Sequence, residues 1–167
     1  MASISTSLLS KAQAKPGDKI PTETVKETSP AESFALNLKG KNVIVAVPGA
    51  FTPSCSSQVP GYIEKYDAIK AKGVNDIYVV AVNDTFVMKA WKEKLAPNGT
   101  GVRFISDDQG KFAGTLGLLM DATGALGAPR AKRFVIIADD DKISSLFVEE
   151  NSSEVTVTAS DKVLSLL

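Results

Sequence analysis

The chain predicts an α/β protein with a central mixed β-sheet flanked by helices. Three observations carry this reading. Short, continuously apolar, β-branched runs have the character of strands buried on both faces. Amphipathic helical stretches separate the first of these runs, and near the end two of them are parted only by a turn. The 167 residues suit one domain, long enough to bury roughly two-thirds of the surface that the unfolded chain exposes.

Residues 1–40 are polar, with Pro16, Pro21 and Pro30 as breakers, and read as an irregular or hairpin-like lead-in to a domain over 41–167. Residues 42–47 (NVIVAV) form a first buried strand, ended by Pro48 and Gly49. From Pro53 to Lys72 the apolar residues Val59, Tyr62, Ile63, Tyr66 and Ile69 recur at three- and four-residue spacing, predicting a helix that Gly73 stops. A second strand spans 77–82 (IYVVAV), followed by a helix over Thr85–Leu95, a third strand over 102–106 and a short helix over 111–116. Residues 133–138 (RFVIIA) and 143–148 are strands joined by the turn 139–142, an antiparallel hairpin. Ser160 is placed to cap a last helix running to Leu167. Strand–helix units followed by a hairpin and a helix describe a thioredoxin-like fold.

Composition excludes several functions. Lys and Arg number 19, as do Asp and Glu, so no basic excess points to nucleic acid and no basic amphipathic run to a membrane surface. The apolar runs fall far short of the ~20 residues that span a bilayer. Cys55 is the single cysteine, which rules out an intrachain disulfide or a zinc site built on paired cysteines. Histidine is absent, so any nucleophile is activated without imidazole. No metal and no cofactor are expected, and Asp139-Asp140-Asp141 reads as a solvated turn. Residues 1–17 hold Ser3, Ser5, Ser7, Ser10, Lys11 and Lys15 with no acid before Asp18, which fits either a disordered tail or a weak mitochondrial transit segment. The compartment expected is intracellular, cytoplasmic first and mitochondrial second. The end, Ser165-Leu166-Leu167, is not the peroxisomal Ser-Lys-Leu signal.

Chemistry concentrates in Pro48-Gly49-Ala50-Phe51-Thr52-Pro53-Ser54-Cys55, where a buried strand hands over to a helix. Ligands of open α/β sheets bind at such carboxyl ends of strands. Thr52 is a favoured N-cap type, and Pro53 suits the first helical position. Cys55 then falls in the first turn, where unsatisfied backbone N–H groups and the helix dipole favour thiolate over thiol. A lone cysteine on an apolar helix can equally be inert packing; the full spacing Pro-x-x-x-Thr-x-x-Cys, met by Pro48, Thr52 and Cys55, favours a reactive one.

With these residues the chain resembles the peroxiredoxins, in particular the atypical subgroup of peroxiredoxin 5, plant type II peroxiredoxins and fungal peroxisomal-membrane-associated homologues. Further landmarks are Pro60-Gly61-Tyr62, residues 80–84 with Phe86-Val87, Ala90-Trp91, residues 104–107 and Lys132-Arg133-Phe134, so the likeness covers about residues 38–167. The resemblance implies a thiol-dependent peroxidase acting on hydrogen peroxide and alkyl hydroperoxides. Cys55 would be the peroxidatic nucleophile, Thr52 a hydrogen-bonding partner of the peroxide, Pro48 a shield over the pocket and Arg133 the cation holding peroxide and thiolate. With no second cysteine, the sulfenic acid on Cys55 would be reduced from outside, by thioredoxin, glutaredoxin or glutathione. A homodimer is implied, with Phe51, Trp91 and Leu118-Leu119 as candidate contacts; Trp91 reads as core or dimer packing. The competing readings are a holdase chaperone or redox sensor on the same fold, and an inert interaction module.

One departure is visible. The relatives carry a histidine four residues after the cysteine, then an apolar residue, proline and glycine. Here the run is Cys55-Ser56-Ser57-Gln58-Val59-Pro60-Gly61, one residue shorter and without the histidine. An extra residue in a helix is commonly absorbed as a π-bulge. The shorter run therefore predicts regular α-helix after Cys55, and a pocket lacking one polar contact.

Overall fold

In the computed structural model, which describes residues 6–167, a five-stranded sheet carries the fold in the order β3-β2-β1-β6-β7. The strands are β1 (Lys41–Val47), β2 (Val74–Ala81), β3 (Arg103–Ser106), β6 (Phe134–Asp139) and β7 (Lys142–Val148). β1 pairs in parallel with β2, and β2 with β3, while β6 runs antiparallel to both β1 and β7. The mixed sheet of a thioredoxin fold is thus present.

Side-chain alternation along each strand feeds two cores. On one face Ile44, Ala46, Tyr78, Val80 and Ile136 meet Ile20, Val25 and Leu38 of the lead-in and Phe112 of α5 (Lys111–Thr115). On the other, Val43, Val45, Val47, Val79 and Val135 meet Ile69 of the short helix Tyr66–Lys70 and three further helices. These are α2 (Pro53–Glu64) through Val59 and Tyr62, α4 (Thr85–Leu95) through Met88 and Trp91, and α7 (Ser160–Leu164) through Val163. Burial on both faces explains why the strand sequences are unbroken apolar runs. Among the described residues, no helix is long and apolar enough to cross a membrane.

Several expectations need correction. The helix expected over 53–72 is two, α2 and α3 (Tyr66–Lys70), interrupted at Lys65 with φ −92° and ψ 13°. The break turns the Tyr66 ring onto position 101, where only glycine leaves room for it. Ser160 does not cap α7: Ala159 holds the N-cap position, Ser160 is the first helical residue, and the helix ends before Ser165. Arg133 lies just ahead of β6 rather than in it. Three short elements lack the length to show a period: β4 (Leu119–Met120), α6 (Thr123–Leu126) and β5 (Arg130–Ala131), with β4 and β5 paired as a separate antiparallel ribbon. The tail reading also fails for its described part. After α1 (Thr6–Leu9), Ala14 N–H donates to the Leu116 carbonyl, and Leu8, Leu9 and Ala14 pack on the core. Residues 1–5 of the transit reading lie outside the described residues.

The regular helix after Cys55 is observed. Residues 53–64 are α-helical throughout, with no π-helical turn, despite Pro60 inside.

Candidate active site

The β1–α2 junction places the sulfur. β1 ends at Val47, and Phe51 then takes φ 65°, a left-handed conformation uncommon for a bulky residue. This tight turn throws the Phe51 ring outward and brings Thr52 to the N-cap position with φ −69° and ψ 150°. The Thr52 side chain makes no capping bond. Its hydroxyl donates instead to the Gly49 carbonyl at 2.9 Å, leaving the oxygen's lone pairs as acceptors. Pro53 opens α2, as its missing N–H allows, and Cys55 sits in the first turn with 0% exposure. Ser54, between them, donates from Oγ to the Ser153 carbonyl at 2.7 Å, tying this turn to the segment after β7.

Arg133 arrives from the opposite side of the junction. Its Nη2 lies 3.3 Å from Cys55 Sγ, and the whole residue is 1% exposed. A guanidinium cannot shed its proton, so it is a fixed positive charge against the sulfur. Three other contacts fix it. Nη1 donates to Gln58 Oε1 at 2.5 Å, Nε to the Ser152 carbonyl at 3.1 Å, and the backbone N–H to Ser152 Oγ at 3.4 Å. Gln58 is itself buried and donates from Nε2 to the Thr158 carbonyl at 3.1 Å, which also accepts from Tyr62 Oη at 2.6 Å. Burial, with the Glu149 carboxylate nearby, pushes the Tyr62 hydroxyl well above its ordinary range, so it stays a donor.

Above the sulfur lies a cavity of about 260 Å³ lined by Pro48, Thr52, Pro53, Leu126, Arg133 and Ser152, among others. Pro48 and Thr52 of the spaced motif and Arg133, which the resemblance implied, therefore meet around one pocket. Cys55 is not on the pocket surface but lies buried against the Arg133 guanidinium. Gln58, which is not among the residues lining the pocket, holds Arg133 from α2. Its signal was present, since three residues after Cys55 is the same helix face. Ser152 gave none, because it contributes a carbonyl and a hydroxyl from an irregular segment. Arg130, in the same basic run as Arg133, is spent on backbone carbonyls, with Nη1 donating to Val82 O and Nη2 to Leu126 O.

Other site expectations divide. Trp91 is core: it is fully buried, stacks edge-on against Phe104 at 5.5 Å, and donates from Nε1 to Ser56 Oγ at 3.2 Å. Buried Trp91, Leu118 and Leu119 are not available as dimer contacts, whereas Phe51 is 47% and Phe86 70% exposed. In the acidic turn, Asp140 Oδ1 accepts from Gly40 N–H and Asp141 pairs with Lys19, so both carboxylates serve the loop.

A buried cysteine in a helix first turn, a fixed guanidinium against it and a small pocket above form a centre suited to cleaving a weak O–O bond by sulfur attack. Comparison with known proteins agrees. The Redoxin family pattern matches residues 15–164. Peroxisomal membrane associated protein 20 of Schizosaccharomyces pombe is 44% identical over 152 residues, covering 90% of this chain and 97% of that protein. Peroxiredoxin-2B of Arabidopsis thaliana is 40% identical over 161 residues, covering 90% and 96%. Among solved structures, reduced Prx3 of Vibrio vulnificus in complex with H2O2 superposes with a TM-score of 0.83 at 36% identity, covering 91% of this chain and 98% of that one. The chain belongs to the Redoxin family and, as a peroxiredoxin, is a thiol-dependent peroxidase.

Proposed function

We propose that this peroxidase runs a one-cysteine cycle on hydrogen peroxide and alkyl hydroperoxides, with Cys55 as nucleophile and Thr52, Arg133 and Pro48 as its pocket. The contact of 3.3 Å between Arg133 Nη2 and Cys55 Sγ, at the start of α2, is the observation that supports this most directly. The Cys55 thiolate attacks one peroxide oxygen; an S–O bond forms, the O–O bond breaks, and the departing oxygen takes up a proton to leave as water or an alcohol. Charge builds on that oxygen in the transition state, and pre-aimed donors stabilise it. Arg133 is such a donor. Thr52, whose hydroxyl proton is directed to Gly49, accepts from the peroxide O–H and orients it. Pro48 keeps water from the sulfur.

Cys55 is left as sulfenic acid. An external thiol condenses with it, releasing water and forming a mixed disulfide. A second thiol then attacks the sulfur of the first and displaces the Cys55 thiolate, leaving a disulfide and the reduced enzyme. Thioredoxin, glutaredoxin and glutathione are the reductants of this chemistry. The assembly is a homodimer in which the exposed Phe51 and Phe86 are buried; their segments are pinned together by the bond from Ala50 N–H to Asn83 Oδ1 at 2.9 Å. The compartment is cytoplasmic, with mitochondrial import as the second reading, and fractionation of the tagged protein decides between them.

Donor-by-donor kinetics tests the proposal: stopped-flow oxidation by hydrogen peroxide and tert-butyl hydroperoxide, then turnover with each reductant. Rapid sulfenic acid formation and turnover with at least one donor are expected. Peroxide consumption that survives loss of the Cys55 thiol would end the assignment.

A further inference from the structure

Following the chain out of β7, Glu149 is a carboxylate 5% exposed that forms no ion pair among the described residues. Four donors from two residues satisfy it. Oε1 accepts from Thr156 N–H at 2.5 Å, Thr158 N–H at 3.0 Å and Thr158 Oγ1 at 2.9 Å, and Oε2 accepts from Thr156 Oγ1 at 2.7 Å. Burial pushes this carboxyl up, but the Thr156 and Thr158 donors outweigh it and hold it below the usual range, so it stays ionised. The backbone bonds nearby, Glu154 N–H to Asn151 O and Ala159 N–H to Thr156 O, each span only three residues. Neither closes the whole segment, so the carboxylate draws it together.

Both ends of the closed segment bear on Arg133. At the near end Glu149 N–H donates to the Arg133 carbonyl at 3.0 Å, and Ser152 receives the arginine Nε and backbone N–H. At the far end the Thr158 carbonyl holds Gln58 and Tyr62, and Gln58 holds Arg133 Nη1. We propose that Glu149 is a positioning residue for peroxide reduction: its carboxylate clasps residues 149–158 into the frame that aims the Arg133 guanidinium at Cys55. The proposal rests on the role given to Arg133 above. It differs from a merely structural one because both ends of the frame reach Arg133, through Ser152 and through Gln58.

Glu149→Gln tests it. With its oxygen at the Oε1 position the amide keeps the acceptor of three bonds, but it loses the charge that strengthens all four and turns a donor toward Thr156 Oγ1. Three variants are compared with wild type: Glu149→Gln, Arg133→Met and the double substitution. The readouts are the pH profile of Cys55 alkylation, the rate of oxidation by hydrogen peroxide, and the KM for a fixed dithiol reductant. The proposal expects Glu149→Gln to move the alkylation profile to higher pH. It also expects oxidation slowed roughly tenfold to a hundredfold, the cost of displacing a reacting group by up to about 1 Å. KM for the reductant should not change, and the double variant should match Arg133→Met alone. A Glu149→Gln profile and rate equal to wild type, while Arg133→Met shifts both, overturns the proposal and leaves the Arg133 role intact. An effect fully additive with Arg133→Met also overturns it. If Arg133→Met itself changes nothing, the Arg133 role falls first and the clasp with it. Thr156→Val, on an exposed residue, removes one donor and carries the same test should Glu149→Gln fail to fold. A shift in the same direction supports the clasp, and an unshifted profile refutes it.

Discussion

Replacing Gln58 by Met removes the link between α2 and Arg133 while changing little else. The two side chains are similar in length and in helix propensity, so α2 itself is not weakened. Two bonds go: Arg133 Nη1 to Oε1 at 2.5 Å, and Nε2 to the Thr158 carbonyl at 3.1 Å. That carbonyl keeps Tyr62 as donor, so its loss is small. Arg133 is 1% exposed, so its Nη1 loses a partner in a buried setting. Losing a buried hydrogen bond to a charged group costs about 1.5–3 kcal/mol. At about 2–4 °C per kcal/mol for a chain of this size, melting should drop by roughly 3–12 °C. Arg133 retains both Ser152 bonds and stays near the sulfur, so oxidation by peroxide should slow by about 10- to 100-fold rather than vanish. Calorimetry and stopped-flow quenching of the buried Trp91, bonded to Ser56 beside the reacting cysteine, measure the two quantities. In an Arg133→Met background, Gln58→Met should have almost no further effect on rate. A melting shift below ~1 °C together with a wild-type rate would show that the bond contributes nothing and that Gln58 merely fills space.

Cys55→Ser should abolish peroxidase activity while the protein melts within a few degrees of wild type, about 2–4 °C per kcal/mol, because the swap barely changes volume; activity within a few-fold of wild type removes Cys55 from the mechanism. Arg133→Met should slow peroxide attack and move Cys55 alkylation to higher pH, since a positive charge beside the sulfur is lost; an unchanged alkylation profile sinks its assignment. Non-reducing electrophoresis after peroxide should show no intrachain bridge, and any dimer band should disappear in Cys55→Ser. Asp107 supplies a pH prediction away from the site. Burial raises its pKa from 3.8 to about 6 despite amide bonds from Phe112 and Ala113. The folded state then holds this proton more tightly than the unfolded one, so this contribution to stability falls as pH rises from about 4 to about 6. Denaturant titrations in that window should show a slope that Asp107→Asn removes; an equal slope in both proteins contradicts the assignment.

Long periodic or two-faced elements were legible in the sequence because burial writes itself into composition. β1 and β2 are buried on both faces and read as unbroken β-branched runs, and α4 was placed residue for residue at Thr85–Leu95, with Asp84 capping through Val87 N–H. What failed was local. Lys65 interrupts a periodic stretch without a glycine or proline at the break, and the Tyr66 ring that follows packs against Gly101, a contact no helical period states. β4 and β5 are two residues each, too short for any alternation to show. The lead-in is irregular as read, but its anchoring was hidden, because Ile20, Val25 and Leu38 are single apolar residues spaced by polar ones, each filling one hole in the core.

The site divides along a different line. Pro48, Thr52 and Cys55 are close in sequence, and one strand-to-helix turn fixes their arrangement, so spacing was enough to find them. Arg133 is 78 residues from Cys55, and only resemblance could join it to the motif. Gln58 lay in plain view one turn after Cys55, yet its weight depends on where Arg133 ends, which no helical period states. Glu149 is further still from being readable. Its partners are backbone amides and hydroxyls of Thr156 and Thr158, and its effect passes through the Thr158 carbonyl to α2. Backbone groups carry no sequence signature, so a carboxylate that works through them looks like any surface acid in the run Glu149-Glu150. Burial separates the two: Glu150 is exposed, whereas Glu149 is enclosed and fully bonded. A nucleophile can thus be found by spacing, while the frame that aims its partner becomes visible only once main-chain hydrogen bonds are traced from one charged group to the next.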